Sequence, residues 1–182
     1  MTRICVGEVD QLNSRFSMNL SVKNYLSRIS GKTAELFSIS LYLGAAEANA
    51  DEDVSKELKN IGHNLGMAFQ IIDDILDYEG SDESIKKSAG NDLKQGIYTI
   101  PFIYAYKNNK NAFKDFINRE EYSDEEVSEI IKIVKENDGI KDSNELAEKY
   151  IRKCFKGIER LPDNEYKVIL KEIAEWLLIR TY

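Results

Sequence analysis

Three aspartates, Asp73, Asp74 and Asp77, stand in the otherwise mostly apolar segment GMAFQIIDDILDYEG, residues 66–80. On a helix Asp73 and Asp77 are four positions apart, and Asp74 and Asp77 three. All three carboxylates therefore project from one side, within about 6 Å of each other. Ile71, Ile72, Ile75 and Leu76 flank them, which predicts an enclosed setting. Between Lys59 and Lys86, His63 is the only residue that can carry positive charge. Clustered carboxylates in such a place repel one another and do not all stay ionised without compensation. Water at the wet end of a helix, a lysine or arginine from elsewhere in the fold, or a divalent metal would each supply it. The apolar flanks and nearby glycines favour metal. A hard, all-oxygen set favours Mg²⁺ sharing its shell with substrate phosphate, a site suited to activating a diphosphate leaving group.

These side chains must be held by helices. Apolar residues recur at three- and four-residue spacing, no period-two pattern appears, and Pro101 and Pro162 are the only prolines. The expected helices run roughly over 2–17, 21–29, 31–49, 54–79, 97–108, 110–118, 124–137, 144–160 and 164–180. Ser123 with Glu126 and Asp142 with Glu145 match a capping box, and Asp163 precedes another helical run. Gly80, Gly96 and Gly139 mark helix ends. Gly62 and Gly66, one turn apart, predict either close packing of a second helix or a flat wall beside a ligand. The patch Gly44, Ala45, Ala46 and Ala48 likewise predicts close approach by a helix. The polar segment GSDESIKKSAGNDLKQG, residues 80–96, reads as a long mobile loop of the functional kind. The fold class is all-α, in one domain over residues 1–182.

Composition narrows the function. With 42% hydrophobic and 31% charged residues, the 182-residue chain reads as a soluble globular protein with a substantial core. A net charge of −7 without a basic stripe argues against a nucleic-acid partner but leaves small anionic ligands open. Cys5 and Cys154 form no metal-ligand pair and read as reduced thiols. No segment has the length and apolarity of a signal peptide or membrane span, so the expectation is a cytoplasmic protein without a transmembrane segment.

Beyond the aspartates, several segments fall into one order. GEVDQL, SRISGKTAELFSISLYLGA, GMAFQIIDDILDYEG and KKSAGNDLKQGIYTIP resemble the Gly-Glu-x-x-Gln, Lys-Thr, second aspartate-rich and following loop motifs of the trans-polyprenyl diphosphate synthases. The final LLIRTY resembles the basic-aromatic end of long-chain members, especially the catalytic component of heptaprenyl diphosphate synthases. The resemblance implies an isoprenoid-synthase bundle of helices around a central cavity, its two aspartate-rich motifs holding Mg²⁺ on an allylic diphosphate. It implies head-to-tail condensation with isopentenyl diphosphate. By matching position it makes Asp73, Asp74 and Asp77 metal ligands, with Asp73 the most direct. It places Lys32 and Lys87 on the allylic diphosphate, with Thr33 and Gln70 in support, and Phe69 near isopentenyl diphosphate. Read without it, Lys32 and Lys87 are solvated lysines, Gln70 a hydrogen-bond partner of a carboxylate, and Phe69 and Met67 core residues. Lys86-Lys87-Ser88 stands where the family has Gly-Lys-Pro, and Ile97 where a lysine often follows the glycine.

The resemblance covers only the C-terminal half of the family's length. Nothing in residues 1–60 matches the first aspartate-rich motif or its arginines; ADEDV at 50–54 has no arginine pair beside it. The start at Met1 reads as a truncation or a shortened reading frame. Half a metal clamp leaves the diphosphate ligated from one side, so the chain is expected to be inactive alone. The alternative is a non-catalytic helical partner that assembles with a second subunit through exposed apolar faces. Exposed core surface also predicts homo-oligomers. A terpene cyclase on the same fold is disfavoured by the Lys-Thr and GNDLKQG segments.

Overall fold

One helix of 28 residues, Glu52–Glu79, organises the rest, and the sequence gives it an acidic first turn in Glu52 and Asp53 and no proline along its length. The computed structural model describes residues 9, 12, 14–19, 21–79, 90–117 and 119–178. In chain order the elements are α1 (Val22–Ile29), a π-helical turn (Ser30–Ala34), α2 (Glu35–Glu47), α3 (Glu52–Glu79) and α4 (Asn91–Lys94). They continue with α5 (Ile100–Asn108), a 3₁₀ turn (Lys110–Phe113), α6 (Asp124–Glu136), α7 (Gly139–Arg160) and α8 (Glu165–Leu178). No described residue is in a strand.

Helix α3 lies between α2 and α7, its two most extensive partners. Gly62 and Gly66 let α2 and the π turn approach. A Cβ at Gly62 would stand 2.4 Å from the Phe37 carbonyl oxygen, and one at Gly66 2.7 Å from the Ala34 Cα. Of the two readings of this glycine pair, helix packing is the one realised. Buried side chains from α3 then reach three apolar clusters. Ile61 and Leu65 meet Cys154 and Ile158 of α7; Met67, Ile71 and Ile75 meet Tyr25, Ile29, Ile100 and Leu146; Tyr78 meets Phe102, Phe113 and Val134. Burial pushes the free Cys154 thiol up to about 12, so it packs as an apolar group. Cys5 lies outside the described residues.

Several expected boundaries move for local reasons. The helix expected over 2–17 lies largely outside the described residues; by Ser14–Phe16 the chain is already in a turn, and 17–19 are not helical. Helix α5 starts at Ile100 rather than 97 because Ile97, Tyr98 and Thr99 run extended into the core, with Pro101 in the first turn. Of the helix expected over 110–118, Lys110–Phe113 form a 3₁₀ turn capped by Asn109, and 114–117 are in a turn. The Ser123–Glu126 capping box is present. The Asp142–Glu145 box is not, because α7 begins at Gly139, which opens that helix instead of closing one; Asp142 accepts from Asn108 Nδ2 at 2.9 Å. At the start of α8 the side chain that caps is Asn164, accepting the Lys167 amide at 2.9 Å. Asp163 pairs with Lys167 Nζ at 2.8 Å. Residues 80–89 of the expected loop lie outside the described residues, and 90–96 contain the helical turn α4. In the Gly44–Ala48 patch Gly44 has open space around it, whereas Ala45 beside it is buried.

Candidate active site

The three aspartates enter different environments, since one helical turn of α3 sweeps them from solvent toward the core. Asp73 is exposed. Asp74 is only 4% exposed and has both oxygens engaged: Tyr25 Oη donates to Oδ2 at 2.6 Å, and Gln70 Nε2 to Oδ1 at 2.8 Å. Burial raises its pKa to about 7, although the bonds from Tyr25 and Gln70 pull it down. Asp77 is half-buried and ties down the chain that follows. Its Oδ1 accepts the amides of Gly90 and Asn91 at 3.1 and 3.3 Å, and its Oδ2 accepts that of Asp92 at 3.4 Å. Gly90 takes a left-handed φ of +73°, so these successive amides converge on one carboxylate. Burial and the neighbouring Asp92 push the Asp77 carboxyl up to about 6 against those amides.

The expectation of three carboxylates facing one point is thus replaced by one exposed group and two anchors. Among the described residues no three histidine, cysteine, aspartate or glutamate side chains form a metal cage. What gathers around Asp73 is mixed in charge. Asp92 of α4 is half-buried, and its carboxyl is raised by burial, lowered by Lys32 and Arg28, and raised by Asp73. Lys32, Arg28, Asp73 and Asp92 therefore share one electrostatic neighbourhood. Lys32 comes from the π turn, a distortion that recurs at functional sites. The next residue, Thr33, donates Oγ1–H to Gln70 Oε1 at 2.7 Å, joining groups 37 positions apart.

Of the residues singled out from sequence, Lys32, Thr33, Gln70, Asp73, Asp74 and Asp77 are brought together around this stretch of α3. Phe69 is half-buried, with its ring 5.4 Å from that of Phe37. Met67 is core. Lys87 lies outside the described residues. Sequence reasoning passed over Asp92 and Tyr25. Asp92 sits two residues after Gly90, whose left-handed turn feeds it back to α3, and that glycine was its available signal. Tyr25 is eight residues before Thr33, too far for helix spacing to link it to Asp74. A polar cavity of about 390 Å³ opens beside α1, lined by Ser17, Asn24, Tyr25, Arg28 and Tyr98 among others. Neither Lys32 nor any of the three α3 aspartates lines it.

A family model of the polyprenyl synthetases matches residues 1–134. The chain belongs to the polyprenyl synthetase family. The chain is 38% identical to heptaprenyl diphosphate synthase component 2 of Bacillus subtilis (strain 168), over 97% of its own length and 51% of the relative's. It is 33% identical to the octaprenyl diphosphate synthase of Haemophilus influenzae, covering 97% of this chain and 54% of that one. Among solved structures, heptaprenyl diphosphate synthase from Staphylococcus aureus superposes with a TM-score of 0.91 at 32% identity, over 100% of this chain and 57% of that chain. A polyprenyl synthase from Caulobacter crescentus CB15, complexed with calcium and isoprenyl diphosphate, matches with a TM-score of 0.89 at 33% identity, over 98% and 56%. The chain spans about half the length of the relatives it matches. The donor set suits a cation shared with phosphate better than a protein-only cage. Mg²⁺ takes one or two carboxylates and fills its shell with water and phosphate oxygens, and Asp73 beside Asp92 and Lys32 offers that mixture.

Proposed function

We propose that this chain supplies the Lys-Thr and second aspartate-rich side of a polyprenyl diphosphate synthase, which joins isopentenyl diphosphate to an allylic diphosphate with Mg²⁺. The observation that carries the reading is the Thr33–Gln70 bond, which sets the lysine-bearing turn against the aspartate-bearing turn of α3. Lys32 neutralises diphosphate oxygens. Asp73 holds the cation from α3, and Asp92 adds a second hard oxygen to the same field. Asp74 and Asp77, named as ligands by the family resemblance, serve by holding α1 and the 90–92 turn in place. By the family resemblance Lys87 is a further contact of the allylic diphosphate, and Phe69 borders the isopentenyl side. Bound Mg²⁺ supplies the charge neutralisation that lets diphosphate leave.

The test is chain elongation from farnesyl diphosphate and ¹⁴C-isopentenyl diphosphate with Mg²⁺. The chain alone is expected to give no elongation, and addition of a polypeptide bearing the first aspartate-rich motif is expected to restore it. In the restored system Asp73→Asn and Lys32→Ala are each expected to lower kcat/KM by about 10²-fold or more, in the range of losing one preorganised electrostatic contact. Unchanged rates in both variants sink the assignment of the site, and efficient elongation by the chain alone sinks the claim that it needs a second half. A non-catalytic partner subunit is the second reading, favoured by the exposed apolar side chains of α2 and α8. It predicts that neither substitution matters in the assembled enzyme.

A further inference from the structure

The bonds that fix Asp74 extend into a chain of four side chains. Tyr25 donates to Asp74, Gln70 donates to the other oxygen of Asp74, and Thr33 donates to Gln70, at 2.6, 2.8 and 2.7 Å. Its direction is set by chemistry. Ionised or singly protonated, Asp74 keeps an acceptor oxygen for the Gln70 nitrogen, which turns the amide oxygen toward Thr33, whose hydroxyl then donates. Tyr25 belongs to α1, immediately before the π turn, and Thr33 lies within that turn. The chain of bonds therefore leaves the α1–π segment at the phenol, crosses one turn of α3, and returns at the threonine. Asp73 lies on that same turn of α3, between Gln70 and Asp74, and Lys32 is next to Thr33.

We infer that Tyr25 is a positioning residue of the diphosphate site: by donating to Asp74 it locks Gln70 and Thr33, and so sets Lys32 against Asp73. The inference rests on the function proposed above and assigns a duty to a residue that touches neither metal nor substrate. Packing alone does not require a phenol at this place. Tyr25 is 2% exposed among Ile29, Met67, Ile71 and other apolar side chains, a setting that a phenylalanine ring fills equally well. Among the hydrogen bonds of the described residues, the one from this hydroxyl ties Asp74 to α1. Without it Asp74 keeps a single donor, and the buried oxygen left bare draws Gln70 or water toward it, releasing Thr33.

The experiment compares the unaltered chain with Tyr25→Phe, Thr33→Val, the double variant, and Tyr150→Phe as a control phenol outside the relay. With the polypeptide bearing the first aspartate-rich motif present, calorimetry reads affinity for Mg²⁺ with inorganic pyrophosphate, and urea unfolding of each variant checks that it folds cooperatively. Tyr25→Phe and Thr33→Val are each expected to weaken binding about tenfold. The double variant is expected to lose only about thirtyfold rather than the roughly hundredfold product, because both break one network. Tyr150→Phe is expected to leave the affinity unchanged. Gln70→Met, a break at the middle of the chain, is expected to match Tyr25→Phe; undiminished affinity there overturns the inference by itself. It is overturned equally if the two end substitutions multiply independently, or if Tyr25→Phe lowers stability but not affinity. Absence of binding by the unaltered chain in that assembled system has a different meaning: it overturns the functional reading, and this role with it.

Discussion

Asp74 is a buried carboxylate with two good donors and still a raised pKa, so desolvation outweighs its hydrogen bonds. In the folded chain it keeps its proton up to about pH 7, whereas in the unfolded chain it ionises near about pH 4. Over that window the native state binds more protons than the unfolded state, so this group makes stability fall as pH rises. Asp77, raised to about 6, adds to the same slope over the lower part of the window. Asp74→Asn keeps the shape and removes the charge. It is expected to stabilise the chain by on the order of 1–3 kcal/mol at pH 8 and to bring little or nothing at pH 4.5. Urea unfolding at the two pH values checks this, and a variant less stable than the parent at pH 8 would show that ionised Asp74 is a net stabiliser. The aspartates themselves were legible in the sequence, but their division of labour was not. Spacing places residues on a helix face; it does not say that Tyr25, 49 positions away, waits at the far side of that face.

At the scale of elements, the close contact between α3 and the π turn–α2 segment carries the site, because it brings Thr33 to Gln70. Gly62→Ala is expected to force the two helices apart and to cost roughly 1–3 kcal/mol, since the new methyl meets backbone rather than a yielding side chain. Gly44→Ala is the matched control in open space on α2, and is expected to stabilise by about 0.5–1 kcal/mol through helix propensity alone. Opposite signs in thermal unfolding confirm the contact; equal signs refute it. The glycine pair could be read from its spacing, and α3 was expected to within two residues at its start because its pattern is long and its last turn ends before Gly80. Shorter cues misled where tertiary contacts overrode them. The Asp142–Glu145 pair has the composition of a capping box, yet α7 begins a turn earlier, where Asp138 in a left-handed conformation lets the chain re-enter a helix at Gly139. Tyr98 and Thr99 look helical by pattern, yet their hydroxyls are drawn to Tyr122 and Tyr78 across the core, in an extended stretch.

At the scale of the whole molecule, two helices bury one side and leave apolar residues on the other. Leu36, Tyr42 and Leu43 of α2 are exposed, and so are Tyr166, Ile169, Ile173 and Trp176 of α8, the last at 77%. The α8 residues follow a 3-4-3 spacing that places them on one stripe, as in a coiled-coil seam. The stripe also reads nearly the same in both directions, aromatic-Ile-Ile-aromatic. Antiparallel pairing about a two-fold axis sets Trp176 against Tyr166 of a second copy, and Ile173 against Ile169, which is the self-complementarity an isologous interface needs. Glu172, on one flank of the stripe close to the two-fold axis, meets its own copy in that arrangement. Association through α8 is therefore expected to tighten with added salt, as screening removes the repulsion. Sedimentation velocity over a concentration series at 0.05 and 0.5 M NaCl reads this. Ile169→Glu with Ile173→Glu is expected to hold the chain monomeric at both, with cooperative unfolding kept, since these side chains stand outside the three core clusters. A parent chain that stays monomeric throughout, or a double variant that associates as strongly as the parent, rules out α8 as the seam. Association that persists only until Leu36 and Leu43 are made polar moves it to α2, the helix that follows directly from the lysine-bearing turn.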